Sequence, residues 1–268
     1  MKLLVFGLGY TARAFVKRLG RDWGIVSTIR GEHSPVPPEN GFADVTHILI
    51  SIPPGETGDP VLDGYAAAIA GLRGLQWIGY LSTTGVYGTR DGGWVDEDSE
   101  LRPTNARSKR RAEVEASWLY LWRHHGVPLH IFRLAGIYGP GRSAFDALRV
   151  GTAKRIDAGD QVFSRIHLDD IAGILLASIA QPRPGAIYNV CDDEPAAQEA
   201  VIAHAARLLR IEPPPLVPLA EAELSPMARS FYADNKRVSN ALIKSELAVS
   251  LAYPNYRAGL AAILAAGG

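Results

Sequence analysis

The chain has 268 residues, 47% of them hydrophobic and 21% charged, which are the proportions of an ordinary globular protein. Lys and Arg together number 28, as do Asp and Glu, so the chain lacks the basic excess that binding to nucleic acid or to an anionic membrane requires. The one cysteine, Cys191, excludes an internal disulfide and a cysteine-based metal cluster. We therefore expect no metal, no nucleic-acid partner and no membrane partner.

The same features predict a cytoplasmic location. A single cysteine fits a reducing compartment. The first predicted strand starts at Lys2, which leaves no room before it for a signal or transit peptide. The longest apolar stretches are too short to cross a bilayer.

Short apolar runs alternate with helical segments along the first half of the chain. Strands are predicted at 2–6, 24–29, 46–51, 78–82 and 129–135, and helices at about 11–19 and 104–124. This alternation is typical of a parallel sheet covered by helices on both faces. We predict the α/β class, with a Rossmann-type doubly wound parallel sheet.

One interval is too short for the complete pattern. Only about a dozen residues separate Arg30 from Asp44, and Pro35, Pro37 and Pro38 lie among them. A helix and a further strand need a longer crossover, and prolines oppose both elements. The sequence therefore predicts a reduced third-strand region, which would alter the wall of an adenine pocket.

The character of the sequence changes near residue 143. Short strands are predicted at 164–170 and 186–190, with a helix between them, and a proline-rich stretch follows at 211–218. We predict a nucleotide-binding domain over residues 1–142, to whose sheet residues 164–192 contribute in part. Residues 143–268 would mainly form a smaller substrate-binding lobe.

A glycine-rich loop follows the first strand and begins a helix, which is the context that a dinucleotide-binding fingerprint requires. It comprises Gly7, Leu8, Gly9, Tyr10, Thr11 and Ala12. Gly7 permits a tight turn, Gly9 lets the backbone approach a pyrophosphate, and Ala12 lets the helix lie close to the strand. The N–H groups at the helix start would then bind the phosphates. The alternative is an ordinary glycine turn.

The end of the second strand bears on the choice of cofactor. An NAD site usually carries an acidic residue there, but this chain has Thr28-Ile29-Arg30. The guanidinium of Arg30 could pair with a 2′-phosphate. The sequence thus favours NADP over NAD, with a solvent-exposed Arg30 as the alternative.

Several motifs resemble those of the extended short-chain dehydrogenases/reductases, and together they cover nearly the whole chain. They include Ser82-Thr83-Thr84-Gly85-Val86-Tyr87-Gly88, Ser108-Lys109, Phe132-Arg133-Leu134-Ala135-Gly136-Ile137-Tyr138-Gly139-Pro140-Gly141-Arg142, Ile166-His167-Leu168-Asp169-Asp170 and Tyr253-Pro254-Asn255-Tyr256-Arg257. The family includes nucleotide-sugar epimerases, dehydratases and reductases. The resemblance also implies a homodimer through helices that flank the sheet, although the many arginines of the 104–124 helix argue against this.

The resemblance implies a catalytic site with one gap. In the family a Ser/Thr hydroxyl orients the substrate oxygen, and a tyrosine four residues before a lysine transfers the proton. The corresponding residues here are Thr83, Asn105 and Lys109. An amide exchanges no proton near neutral pH, so the chain resembles the atypical branch that lacks the usual tyrosine. Tyr87 is a candidate replacement, with packing as the alternative.

The resemblance also implies cofactor and substrate contacts along the carboxyl edge of the sheet. Beyond the glycine loop, the expected cofactor contacts are Thr28, Arg30, Ser51, Ile52, Pro53, Ser82, Lys109, Ala135, Gly136 and Ile137. The expected substrate contacts are Tyr138, Arg142, Arg165, His167 and Asn235. Packing, surface ion pairing and a turn-fixing histidine are the alternatives for the second group. Asp192-Asp193-Glu194 is interpreted as a solvated turn.

Two functions remain open from the sequence. One is an NAD(P)-dependent, epimerase/dehydratase-like oxidoreductase that acts on a small or nucleotide-sugar substrate. The other is a non-catalytic NAD(P)-binding redox sensor or regulatory protein. Asn105 favours the second, whereas Thr83 and Lys109 favour the first.

Overall fold

The computed structural model describes residues 1–30, 35–37 and 40–267. The strands are β1 (Lys2–Phe6), β2 (Gly24–Ser27), β3 (Ile29–Arg30), β4 (Pro35–Val36), β5 (His47–Ile50), β6 (Trp77–Thr83), β7 (Trp94–Val95), β8 (Leu129–Leu134), β9 (Gly136–Tyr138), β10 (Arg155–Asp157), β11 (Arg165–His167), β12 (Ile187–Val190), β13 (Leu216–Pro218) and β14 (Arg237–Val238). The helices are α1 (Tyr10–Lys17), α2 (Pro60–Ala70), α3 (Ala106–His125), α4 (Ala144–Arg149), α5 (Leu168–Ala180), α6 (Gln198–Leu209), α7 (Pro226–Phe231), α8 (Ala241–Glu246) and α9 (Tyr256–Ala265), with a 3-10 turn at Thr84–Tyr87.

Six parallel strands form the central sheet, in the order β12-β8-β6-β5-β1-β2. The predicted α/β class and Rossmann-type parallel sheet are confirmed. Helices cover both faces, because alternate residues of a buried strand point to opposite sides. Leu3 and Val5 of β1 pack with α1 and α5, whereas Leu4 and Phe6 pack with α2 and α3.

The prediction of a reduced third-strand region is also confirmed. The described residues between β2 and β5 form only the two-residue antiparallel pair β3–β4, which does not join the central sheet. In the described chain β2 is therefore an edge strand beside β1.

Helix α2 was not predicted from the sequence. Its signals were present, because Asp59 is the N-cap residue and Pro60 occupies the first turn, where proline is favoured. The Asp59 carboxylate accepts hydrogen bonds from the N–H groups of Val61 (2.8 Å) and Leu62 (3.4 Å).

The later part of the chain adds small parallel pairs and a third apolar cluster. The pairs are β9–β11, β10–β13 and β7–β14. The cluster includes Tyr138, Phe145, Val201, Tyr256 and Leu260, from β9, α4, α6 and α9. β12 lies in the central sheet beside β8, although the chain reaches it from this later part. The domain limits stay a prediction.

None of the described helices is both long and apolar enough to cross a membrane. The cytoplasmic location and the homodimer stay predictions.

Candidate functional site

The carboxyl ends of the central strands bring the predicted cofactor residues to one edge of the sheet. Phe6 pairs with Ile50, Thr83 with Leu134, and Leu134 with Val190, so these neighbouring strands end side by side. The predicted contacts that directly follow or end these strands are Gly7, Leu8, Gly9, Thr28, Ser51, Ile52, Pro53, Ser82, Ala135, Gly136 and Ile137. Ligands of open parallel sheets bind at this edge.

The two glycines of the loop differ in their backbone conformation and in what surrounds them. Gly7 has a φ of +89°, and a Cβ on it would lie 2.7 Å from Cγ1 of Ile52. Its N–H donates to Oγ1 of Thr28 at 3.1 Å, which fixes the turn. A Cβ on Gly9 would instead meet nothing within 4 Å. Gly7 is thus dictated by packing, whereas Gly9 borders open space into which a ligand can come close to the backbone.

That open space adjoins the N-terminus of α1. Gly9 is the N-cap residue, and no described side chain caps this end. The first turn also carries no acidic residue, so its N–H groups and positive dipole end remain available to an anion. Ala12 is fully buried, as close packing of the helix requires. The loop therefore fits a dinucleotide pyrophosphate.

Arg142 lies beside this loop. The hydroxyl of Tyr10 donates to the carbonyl of Pro140 at 3.0 Å, which joins the loop to the turn after β9. The guanidinium carbon of Arg142 is 5.9 Å from the centre of the Tyr10 ring. Arg142 is exposed, and its side chain forms no hydrogen bond or ion pair with any described residue. The cationic side chain of Arg142 thus lies close to the candidate phosphate site.

Arg30 was the basis for predicting NADP. Its side chain lies outside the described part of the structure, so the prediction stays open. Thr28 is buried and fixes the glycine loop through its hydroxyl.

Asn105 occupies the N-cap position of α3 and not a helical position. Its backbone is extended (φ −127°, ψ 160°), and its Oδ1 accepts a hydrogen bond from Ser108 N at 2.9 Å. The side chain at the expected tyrosine position is therefore committed to the helix end.

Thr83 and the first turn of α3 meet at the 3-10 turn after β6. The hydroxyl oxygen of Thr83 accepts a hydrogen bond from Gly85 N at 3.1 Å. A Cβ on Gly85 would lie 2.9 Å from Oγ of Ser108 and 3.4 Å from Oγ1 of Thr83. Lys109, next to Ser108, is exposed. The structure thus places Thr83 beside the first turn of α3, which begins after the cap residue Asn105 and is followed by Lys109.

Restoring a tyrosine at position 105 is expected to destabilise the fold. Asn105→Tyr removes the cap of α3 and should lower the free energy of unfolding by about 1 kcal/mol. Asn105→Asp keeps an acceptor at the cap and should stay near the wild type. Urea denaturation of the three proteins checks this, and a tyrosine variant as stable as the wild type would contradict the capping role.

Tyr87 and Ser82 belong to a buried polar network under this edge. Arg133 and Glu115 form its ion pair, with 2.8 Å between Nη2 and Oε2 and side-chain exposures of 4% and 2%. Ser82 donates its hydroxyl to Glu115. The Tyr87 hydroxyl accepts from Arg133 Nη1 at 2.8 Å and donates to Asn189 at 2.7 Å.

This network gives Tyr87 a structural setting. The side chain has no exposed surface, and burial raises the pKa of Tyr87 to about 12. Sequence reasoning missed Arg133 and Glu115 as a pair. A signal was available, because Arg133 interrupts an apolar buried strand and a buried charge needs a partner.

Four of the five predicted substrate residues are held by internal contacts. Arg165 is buried and donates to the carbonyls of Phe163 (2.7 Å) and Ala196 (2.8 Å) and to Gln198 (2.8 Å). Asn235 accepts a hydrogen bond from Val162 N at 3.3 Å.

Tyr138 and His167 are also buried. Tyr138 donates to the carbonyl of Asn255 at 3.3 Å and meets the ring of His167 edge-on. His167 caps α5 by accepting from Asp169 N at 3.2 Å, and burial lowers its pKa. Of the five residues, Arg142 is the exposed one. No group of three or more described His, Cys, Asp or Glu residues could hold a metal ion.

The interpretation of Asp192 as part of a solvated turn is wrong. Asp192 is 1% exposed, and its Oδ2 has no hydrogen-bond partner among the described atoms. Its Oδ1 accepts a hydrogen bond from Glu194 N at 3.3 Å. Burial raises the pKa of Asp192 to about 8. Only Asp193, the middle acid of the three, is exposed.

Asp192 is expected to make stability depend on pH. Between its ordinary pKa of 3.8 and its native pKa of about 8, the native state holds a proton that the unfolded state has released. The free energy of unfolding should therefore fall as pH rises through this window, by at most about 1.4 kcal/mol per pH unit.

Denaturation of wild type, Asp192→Asn and the exposed-site control Asp193→Asn at several pH values between these limits measures this contribution. The fall should be shallower in Asp192→Asn alone. Identical slopes in all three proteins would show that Asp192 does not titrate in this way.

No family model matches the chain. Protein YeeZ of Escherichia coli K12 is 30% identical over 183 residues, which are 65% of this chain and 63% of that protein. The chain thus spans less than two thirds of the length of the curated relative. A functionally unknown conserved protein from Silicibacter pomeroyi has a solved structure with 48% identity and a TM-score of 0.93, covering 99% of this chain and 98% of the other.

More distant structures share the fold. dTDP-glucose 4,6-dehydratase from Bacillus anthracis, solved in complex with NAD, has 17% identity and a TM-score of 0.78, and the match covers 99% of this chain and 96% of the other. A human epimerase family protein, solved with NADPH, has 17% identity and a TM-score of 0.74, with 98% and 99% covered.

Proposed function

Because this chain belongs to the same family as the Silicibacter pomeroyi protein and has the extended short-chain dehydrogenase/reductase fold, we propose that it is an NAD(P)-dependent oxidoreductase of the atypical branch. Its substrate would be a carbonyl or hydroxyl compound, either a small molecule or a nucleotide sugar. Structures with this fold have been solved with NAD and with NADPH, which supports a nicotinamide dinucleotide as the cofactor.

The open space at Gly9 is the observation that carries the proposal. A Cβ there would meet no atom within 4 Å beyond its chain neighbours, and the uncapped N-terminus of α1 adjoins it. The chain leaves room for a ligand where its own N–H groups favour an anion. Arg142, unpaired among the described residues, supports the phosphate role from the turn after β9.

The remaining residues of the edge have distinct proposed tasks. Thr83 would orient the substrate oxygen through its hydroxyl, whose oxygen already accepts from Gly85 N and whose proton is free to be donated. Lys109 would hydrogen-bond the nicotinamide ribose. The bound dinucleotide would supply or accept a hydride.

NADP is the proposed preference. The end of β2 carries no acidic residue to hold the ribose hydroxyls, and Arg30 follows Ile29 at that point of the chain. Arg30→Ala should weaken NADPH binding much more than NADH binding. Equal losses for the two cofactors would refute the preference without touching the rest of the proposal.

Calorimetric titration with NADPH and NADH is the first test, and absence of binding at sub-millimolar concentration would refute the cofactor proposal. The second test follows NADPH oxidation across a panel of aldehydes, ketones and nucleotide sugars. Lys109→Ala should abolish any turnover found, whereas the exposed-site control Lys17→Ala should retain it.

A non-catalytic NAD(P)-binding sensor is the second candidate. It is favoured by Asn105, whose side chain caps α3 and cannot transfer a proton. Tight NADPH binding with no turnover across the panel would favour the sensor over the oxidoreductase.

A further inference from the structure

Proton transfer in the proposed site needs a group other than residue 105. The Asn105 amide is held by the backbone of α3 and has no proton to exchange near neutral pH. The hydroxyl of Tyr87 has no exposed surface and is bonded to Arg133 and Asn189. His167 is enclosed as well, at 2% exposure. The Tyr87 hydroxyl is thus committed to internal hydrogen bonds, and Nδ1 of His167 is committed to the N-terminus of α5.

Lys236 is the one buried lysine among the six in the chain, all of which are described. About a tenth of its side chain is exposed, and its Nζ lies 3.6 Å from Oδ2 of Asp234. Removing an ammonium from water is costly, and a single long ion pair compensates that cost poorly. Buried charges in such settings are enriched at functional sites.

The segment that carries Lys236 packs against the start of α3. Thr104, the residue directly before Asn105, donates its hydroxyl to Oδ1 of Asp234 at 2.7 Å. The other oxygen of the same carboxylate faces the Lys236 ammonium. β14 begins at the residue after Lys236 and pairs with β7. β7 itself lies in the segment that leads to α3. The Asp234 carboxylate therefore links Lys236 to Thr104, the residue directly before Asn105.

We propose that Lys236 is the proton-transfer group of this enzyme, in place of the tyrosine that position 105 lacks. The proposal rests on the oxidoreductase function proposed above. Burial lowers the pKa of the Lys236 ammonium, Asp234 opposes that shift, and Arg90 adds to it. Such an ammonium releases its proton closer to neutral pH than an exposed lysine does.

The step is balanced in both directions. In reduction, Lys236 donates one Nζ proton to the carbonyl oxygen of the substrate while a hydride from the reduced dinucleotide reaches the carbonyl carbon. The C=O π bond breaks, one C–H and one O–H bond form, and the neutral amine regains a proton from solvent. In oxidation, the neutral amine accepts the hydroxyl proton while the hydride of the carbinol C–H bond passes to the oxidised dinucleotide. The O–H and C–H bonds break, the C=O π bond forms, and the ammonium returns its proton to solvent.

Two substitutions separate proton transfer from charge. Lys236→Met removes the ammonium, whereas Lys236→Arg keeps a charge that cannot be released. Both should lower kcat by about 100-fold or more on the panel substrate that the wild type turns over, with unchanged affinity for NADPH. Lys154→Met, at an exposed lysine, is the matched control. Thermal unfolding shows whether each variant is folded.

Chemical rescue distinguishes proton transfer by Lys236 from a purely structural role of this residue. Ethylamine should restore part of the activity of Lys236→Ala, and the rescue should rise with pH as the free amine becomes more abundant, when assayed in the oxidative direction. Lys236→Arg at wild-type activity, or Lys236→Ala without rescue, would overturn the proposal. A wild type that binds NADPH but turns over nothing would overturn the oxidoreductase function itself.

Discussion

Replacing Glu115 by methionine is expected to lower the free energy of unfolding by about 3–5 kcal/mol. The substitution leaves the Arg133 guanidinium in the interior without its counter-charge, at 4% side-chain exposure. It also removes the acceptor of the Ser82 hydroxyl. The cost comes from the uncompensated buried charge, since an apolar side chain of similar size fills the vacated volume.

The double variant Glu115→Met/Arg133→Met is the control for that interpretation. It removes both charges together, so it should lose less stability than the two single variants combined. Denaturant unfolding of the wild type and the three variants measures the coupling. A single variant that loses less than about 1 kcal/mol would mean that the pair is solvated in solution.

The sheet could be predicted because each strand can be recognised from the residues of its own short segment. β1 and β5 are short apolar runs whose residues are all buried or nearly so, and a run of that kind identifies a central parallel strand without any tertiary information. The reduced region after β2 could also be predicted from a short segment, since too few residues and three prolines leave no room for a helix and a further strand of the central sheet. Helix α2 was missed although its N-terminal signals were present.

The site divides in the same way. The roles of Gly7 and Gly9 follow from a motif that spans six residues, and the structure gives each a separate physical reason. Arg133 within an apolar strand signals that a buried partner exists, but the partner Glu115 lies 18 residues away on a helix, and no pattern along the chain identifies it. At Asp192 the sequence pattern was misleading. Three consecutive acidic residues suggest solvent exposure, but the packing around β12 buries the first of them.

Substituting aspartate for Gly9 is expected to abolish cofactor binding while leaving the fold as stable as the wild type or slightly more stable. The Cβ enters open space, and the backbone there (φ −85°) suits any residue. Aspartate is a better N-cap residue than glycine, so α1 should gain a few tenths of a kcal/mol. The same carboxylate would occupy the space proposed for the pyrophosphate and repel it, which should weaken NADPH at least about 100-fold.

Two companion variants show whether the loss arises from charge at this site or from damage to the loop. Gly9→Ser caps the helix without adding charge, so it should bind NADPH more tightly than the aspartate variant at equal stability. Gly7→Ala should instead lose stability, because its φ is +89° and its Cβ would lie 2.7 Å from Ile52. Calorimetric titration and denaturant unfolding of the three variants give both quantities. If Gly9→Asp bound NADPH like the wild type, the open space beside Gly9 would hold no phosphate, and the observation that carries the proposed function would be lost.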